Sequence, residues 1–196
     1  MPKAAREVVP GEPHHVTQRG NNRQPIFLDR EDHLRYLGFL ETSLQEHDID
    51  LLGFCLMPNH IHHVLVPPNA ESLASAMNQT SSGYARSFNR RYQRSGHLWQ
   101  CRYYSCSMDS AHLYRALRYV EMNPVRAGLV QAAWQHEWSS AALHAGKTDL
   151  LTGLTVGLKD AGLDIHDWGG YLTEAQGDTD RVRIRSFTSR GVRWDR

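Results

Sequence analysis

Cysteine is scarce in this sequence. Its 3 cysteines, Cys55, Cys101 and Cys106, are odd in number and form no Cys-X-X-Cys pair. That pattern points away from a disulfide framework and from a zinc ribbon, and leaves reduced thiols packed as small apolar residues. Long apolar runs are also missing, so no stretch is expected to span a bilayer. The opening "MPKAAREVVPGEP" holds charges and prolines but no hydrophobic signal core, and a cytoplasmic protein is the expectation. A large charge imbalance is absent too: the net charge is +1. Acidic residues disappear locally, however. None occurs between Glu71 and Asp109, an interval that holds Arg86, Arg90, Arg91, Arg94 and Arg102 with Tyr84, Phe88, Tyr92, Trp99, Tyr103 and Tyr104 interleaved. Arginines pair with phosphates and aromatics stack on bases, although a solvated helix face beside a core has the same composition. A second basic run, "DRVRIRSFTSRGVRWDR", closes the chain and reads as a loosely held tail.

What is present has a clear order. "HHVTQRG" reads as a strand ending at Gly20. "DREDHLRYLGFLETSLQEH" reads as a helix capped by Asp29, with Leu34, Leu37, Leu40 and Leu44 in one stripe. "IDLLGFCLM" and "HIHHVLVP" are two strands joined at Pro-Asn. A second helix covers "ESLASAMNQTSSGYARSFNRRY", with Leu73, Met77, Tyr84 and Phe88 on one side and an interior Gly83 that suggests close packing. "HLWQCRYYSCSM" is the expected fourth strand, and "DSAHLYRALRYVEMNPVRAG" a third helix that breaks before Pro124. The first six elements give the α+β, ferredoxin-like split βαβ order, an antiparallel sheet with helices on one face. The expected division is a domain over 9–128 and a small helical or irregular C-terminal appendage with a basic tail over 129–196.

Three of the 12 histidines fall within "HIHH", His60 to His63. On a strand, positions i and i+2 share a face, so His60 and His62 project side by side. Neutral imidazoles ligate divalent metals, but in a histidine-rich chain such a pair also arises by accident. On the third helix, Leu113, Leu117 and Val120 form the apolar stripe, while Tyr119 and Asn123 make an i, i+4 pair on another face. A phenol can act as a nucleophile and an amide oxygen can hold a metal; the same spacing also fits a buried tyrosine and a helix-ending asparagine.

Four blocks carry a family resemblance: "CLMPN" followed by His60-Ile61-His62, "HVTQRGNNRQPIF", "FNRRYQRSGHLWQCRYYS" and "RYVEMNPVRAGLV". In order and spacing they resemble the IS200-like Y1 transposases, which carry a histidine–hydrophobic–histidine motif, and most nearly the branch called REP-associated tyrosine transposases. The resemblance covers about His14 to Val130. It implies that His60 and His62 bind a divalent metal, Mg²⁺ or Mn²⁺, that Asn123 is the third ligand where the insertion-sequence branch has glutamine, and that Tyr119 is the catalytic tyrosine. The Gly-Thr-Trp signature of some members is not visible. The implied function is a DNA transposase that cleaves and rejoins hairpin-containing single-stranded DNA through a 5′-phosphotyrosine, acting as monomer or homodimer. Arg19, Arg23, Arg86, Arg90, Arg91 and Arg102 would then hold the DNA backbone, and His63 would face away from the metal. His112, two turns before Tyr119, is the only base suggested. The rival readings are a domesticated hairpin-binding protein that does not cleave, and a phosphodiesterase that uses water.

Overall fold

The computed structural model describes residues 7–148, 154, 166–174, 178–191 and 193–194. Strand β1 (His14–Arg19) leads into helix α1 (Arg30–Glu46), then the hairpin β2 (Asp50–Met57) and β3 (His60–Val66), helix α2 (Ala70–Arg91) and strand β4 (Tyr104–Ser107). The sheet order is β2-β3-β1-β4, and every neighbouring pair is antiparallel. This is the split βαβ sheet expected from the sequence. Helices α3 (Ser110–Glu121) and α4 (Asn123–Arg126) follow, then the short helices α5 (Ala141–His144) and α6 (Trp168–Thr173), and finally α7 (Asp178–Arg190). Among the described residues no helix is long and apolar enough to cross a membrane. All three cysteines are free, with Cys55 and Cys106 buried.

Both faces of the sheet are covered, which is why β3 is buried along its length rather than at every second residue. On one face α1 and α2 pack over Val16, Phe54, Leu56, Ile61 and Leu65. Asp29 caps α1 by accepting from the Asp32 N–H at 3.0 Å, and Asn69 caps α2 by accepting from Ser72 at 2.8 Å. Gly83 lets the two helices approach: a Cβ there would meet Phe39 Cδ1 at 2.9 Å. On the other face α3 crosses β2, where Leu52, Cys55 and Val64 pack with Leu113, Leu117 and Val120. Gly53 permits that approach, because a Cβ would lie 2.6 Å from Leu117 Cδ2. The α3 helix starts after its cap Asp109 and stops at Met122, where Pro124 opens α4.

Three expectations change. Leu34 is 49 % exposed, and the buried side of α1 is instead Asp32, Tyr36, Leu40, Ser43 and Leu44. Leucine spacing alone missed a core face built around Tyr36. The fourth strand starts at Tyr104 rather than His97. Before it, Trp99 is tied sideways, bridging Gly20 and donating its indole N–H to the Ser81 carbonyl at 2.9 Å. The closing basic run is no loose tail: over its described residues it forms α7, with Ile184 and Thr188 buried, and Trp194 is buried beside β4. Appendage residues Trp168, Leu172, Ile184 and Trp194 share one apolar cluster with α3. Glu121, fully buried, joins them by accepting from Ser140 (2.6 Å), His144 (2.5 Å) and the Trp168 indole (2.6 Å).

Candidate active site

Strand parity places His60, His62 and Val64 on the α3 face, and Ile61, His63 and Leu65 on the α1/α2 face. The rings of His60 and His62 lie 5.0 Å apart at 78°. Tyr119 comes to them from α3, its ring edge-on to His62 at 5.8 Å and to His15 at 5.7 Å. These residues line a cavity of about 330 Å³ together with Thr17, Arg19, Tyr104, Asn123, Arg185, Thr188 and Ser189. Among the described residues no carboxylate lines it, and its charged groups are the two guanidiniums.

Each imidazole is oriented by its Nδ1. His60 Nδ1 meets Asn59 Oδ1 at 2.7 Å, and Asn59 is itself fixed because its Nδ2 donates to the Arg23 carbonyl at 3.1 Å. An amide oxygen only accepts, so His60 carries its proton on Nδ1 and keeps a lone pair on Nε2. His62 Nδ1 meets His15 Nε2 at 2.8 Å, and His15 Nδ1 meets Thr188 Oγ1 at 2.8 Å. His15 lies diagonally across the β1–β3 ladder from His62, since its register partner is Val64. Burial pushes the His15 imidazole down to about 3 and His60 to about 4, with Arg19 and Arg185 adding to the depression at His60. Burial also holds His62 well below the ordinary value. All three are neutral near pH 7, the form that binds metal.

Among the described residues no group of three or more His, Cys, Asp or Glu could hold a metal ion. A third protein ligand has to be of another type, and Asn123 is such a residue in the same cavity. Its Nδ2 donates to the carbonyls of Tyr119 and Val120, both at 3.1 Å, which turns its oxygen to the opposite side. Two imidazole nitrogens and an amide oxygen suit a divalent cation that keeps open positions, so the residues fit Mg²⁺ or Mn²⁺.

The remaining predicted residues scatter. Arg19 lines the cavity. Arg23 is exposed near the hairpin turn. Arg86 and Arg90 are exposed on α2, on the far side of the sheet. Arg91 is committed to Asp29 and Asp32, each at 2.7 Å, so it fastens α2 to the start of α1. Arg102 lines a separate cavity of about 630 Å³ with Trp99, Tyr103, His97 and Met77. Phe88 and Tyr103 are buried, and Trp99 is partly buried against the same core. His112 bonds Asp109 Oδ1 at 2.6 Å and packs against Trp194 with the rings tilted by 47°; it does not line the Tyr119 cavity. His63 faces away from the histidine pair, as expected, with its Nε2 on the Tyr36 hydroxyl at 2.8 Å.

Sequence reading missed His15, Arg185 and Thr188. The signal for His15 was parity with Thr17 on a strand next to β3. Arg185 and Thr188, three apart on α7, gave no signal because the segment is polar on nearly every side.

The model of the family "Transposase IS200 like" matches residues 12–123, and the chain belongs to that family. A Haemophilus influenzae (strain ATCC 51907 / DSM 11121 / KW20 / Rd) protein, named among the REP-associated tyrosine transposases, is 23% identical over 143 residues, which are 66% of this chain and 72% of that one. A solved REP-associated tyrosine transposase bound to a REP hairpin shares the fold, with a TM-score of 0.65 and 16% identity over 90% of this chain and 96% of that one. A transposase structure from Deinococcus radiodurans R1 aligns more distantly, with a TM-score of 0.42 and 18% identity over 61% of this chain and 95% of that one.

Proposed function

We propose that this chain is a metal-dependent DNA strand transferase that cleaves and rejoins hairpin-bearing single-stranded DNA through Tyr119. One observation carries the reading: a phenol, two neutral imidazoles fixed by their Nδ1 atoms and an amide meet in one cavity that, among the described residues, no carboxylate lines. Such a cavity suits a phosphodiester, which a lining of Asp or Glu would repel. The H. influenzae relative bears a REP-associated transposase name, and the structural neighbour binds a REP hairpin. Both are consistent with a folded single strand as substrate.

His60, His62 and Asn123 would hold Mg²⁺ or Mn²⁺. When bound, the ion polarises the scissile phosphate and offsets developing negative charge. The protein's own groups do the rest. Packing fixes Tyr119 at 3 % exposure, and its hydroxyl accepts from Arg185 Nε at 3.2 Å. Attack forms a bond from Tyr119 Oη to phosphorus as the bond to the 3′ oxygen breaks. The phenolic proton leaves to solvent and the 3′ oxygen gains one. The product is a 5′-phosphotyrosine with a free 3′-hydroxyl, and reversal on another 3′ end rejoins strands without an outside energy source. Arg19, at the end of β1, lies where it can pair with the DNA backbone.

The test is incubation with hairpin oligonucleotides copied from the flanks of its own gene, with Mn²⁺, followed by denaturing electrophoresis. The expected result is a covalent adduct from the natural chain and none from Tyr119→Phe. Hairpin binding without an adduct would mark a protein that binds and does not cleave; cleavage without an adduct would mark attack by water.

A further inference from the structure

We infer that Arg185, on the C-terminal helix α7, is a catalytic residue that aims the Tyr119 hydroxyl and takes a non-bridging oxygen of the phosphate under attack. The inference rests on the reading of Tyr119 as nucleophile.

The geometry begins with α7 itself. Ile184 and Thr188 are buried on its inner side, and Trp194 N–H donates to the Ser107 carbonyl at 2.8 Å. Arg193 pairs with Glu12 at 2.6 Å, beyond the start of β1. The helix is thus fastened at its C-terminal end. Residues 185, 188 and 189 are three and four apart and share a face, and all three line the cavity of His60, His62 and Tyr119. Thr188 completes the hydrogen-bond chain through His15 to His62. Arg185 donates its Nε to Tyr119 Oη, and among the described residues no carboxylate pairs with it.

A guanidinium offers donors in a rigid fork. With Nε on the phenol oxygen, a terminal nitrogen of the same fork can reach an oxygen of a phosphate that approaches that phenol. One planar group can therefore hold the attacking atom and an oxygen of the phosphate together. Arg19 supplies a second cation to the same cavity, from β1. Charge on the phosphate oxygens during transfer of Tyr119 Oη for the 3′ oxygen would then meet a donor on the nucleophile's own side. The side chain of Arg185 is exposed, so its replacement leaves no cavity in the core.

The experiment measures single-turnover adduct formation at saturating hairpin oligonucleotide for the natural chain, Arg185→Gln, Arg185→Lys and Arg185→Ala, with unfolding temperature and hairpin affinity measured alongside. Arg185→Gln should slow adduct formation about 100-fold and weaken hairpin affinity by less than about tenfold, with the unfolding temperature unchanged. Arg185→Lys should fall between, because it keeps the charge and loses the fork. Millimolar guanidinium should restore part of the Arg185→Ala rate, which a merely structural role would not allow. An unchanged rate in Arg185→Gln overturns the inference and leaves the Tyr119 reading standing. A faster rate overturns it as well and makes α7 a plug on the site. A slow variant with a lowered unfolding temperature and no guanidinium rescue makes Arg185 structural. If the natural chain forms no adduct, both readings fall.

Discussion

His62 and His63 are adjacent on one strand and have opposite fates. His63 points into the α1/α2 core, where Tyr36 takes its Nε2 and burial depresses its imidazole to about 3. His62 points to the α3 face, where His15 holds its Nδ1 and Tyr119 stands over it. Both imidazoles are buried and neutral. They differ in what the free edge meets: a packed core on one side, a cavity with a second imidazole, an amide and a phenol on the other. A buried histidine is therefore not a site by itself. The face decides what its free edge can meet.

The comparison is broken or sharpened by replacing one side at a time. His62→Ala should reduce adduct formation more than 100-fold, beyond the 10- to 100-fold typical of residues that only orient a ligand. Excess Mn²⁺ should restore part of it, since the loss is one of metal affinity. His63→Ala should leave the adduct rate within a few-fold and lower stability. Equal loss of activity in both variants would abolish the distinction between the faces. His15→Phe removes the partner of His62 Nδ1 and should weaken Mn²⁺ binding, read by calorimetry, about 10- to 100-fold. On the other face, Tyr36→Phe leaves His63 without its hydroxyl partner in the core. It should cost about 1–3 kcal/mol of stability by urea unfolding, with hairpin cleavage intact.

The arginines divide in the same way, with smaller effects. Replacing Arg19 should flatten the dependence of log K on log salt by about 0.7 for single-stranded DNA. Replacing Arg91 should not change that slope, because its guanidinium is already held by Asp29 and Asp32. Arg91 instead shows in acid. It holds the Asp29 carboxyl down to about 2, below the ordinary carboxylate range. That contribution is complete above pH ~4 and fades as pH falls toward 2. Arg91→Gln should therefore shrink the difference in stability between pH 5 and pH 2, followed by thermal unfolding. An unaltered pH profile would show that the pair is idle.

Much of this was legible in the sequence because it is local. Period-2 alternation separated His60 and His62 from His63, and the i, i+4 spacing brought Tyr119 and Asn123 to one cavity, although α3 ends at Glu121 and Asn123 opens α4. Asp29 caps the helix that it was expected to cap. What stayed hidden depends on distant pairing. His15 reaches His62 across 47 residues and Thr188 reaches His15 across 173. No pattern within a single segment encodes a ladder register or the docking of a polar helix. The basic run after Asp180 was misjudged for that reason: few apolar residues suggested a solvated tail, yet Ile184, Thr188 and Trp194 suffice to dock it. Composition could not sort the arginines of α2 either: Arg86 and Arg90 are exposed across the sheet from the cavity, whereas Arg91 is spent on an ion pair.

The central claim is that the α3 face carries the chemistry through one phenol. The direct measurement is to trap the covalent DNA adduct of the unmodified protein, digest it and sequence the nucleotide-bearing peptide by mass spectrometry. The account predicts a single modified residue, Tyr119, joined to a 5′ phosphate. Attachment at Tyr36 or Tyr84 in the opposite core, or at Tyr104 on the cavity wall, would contradict it.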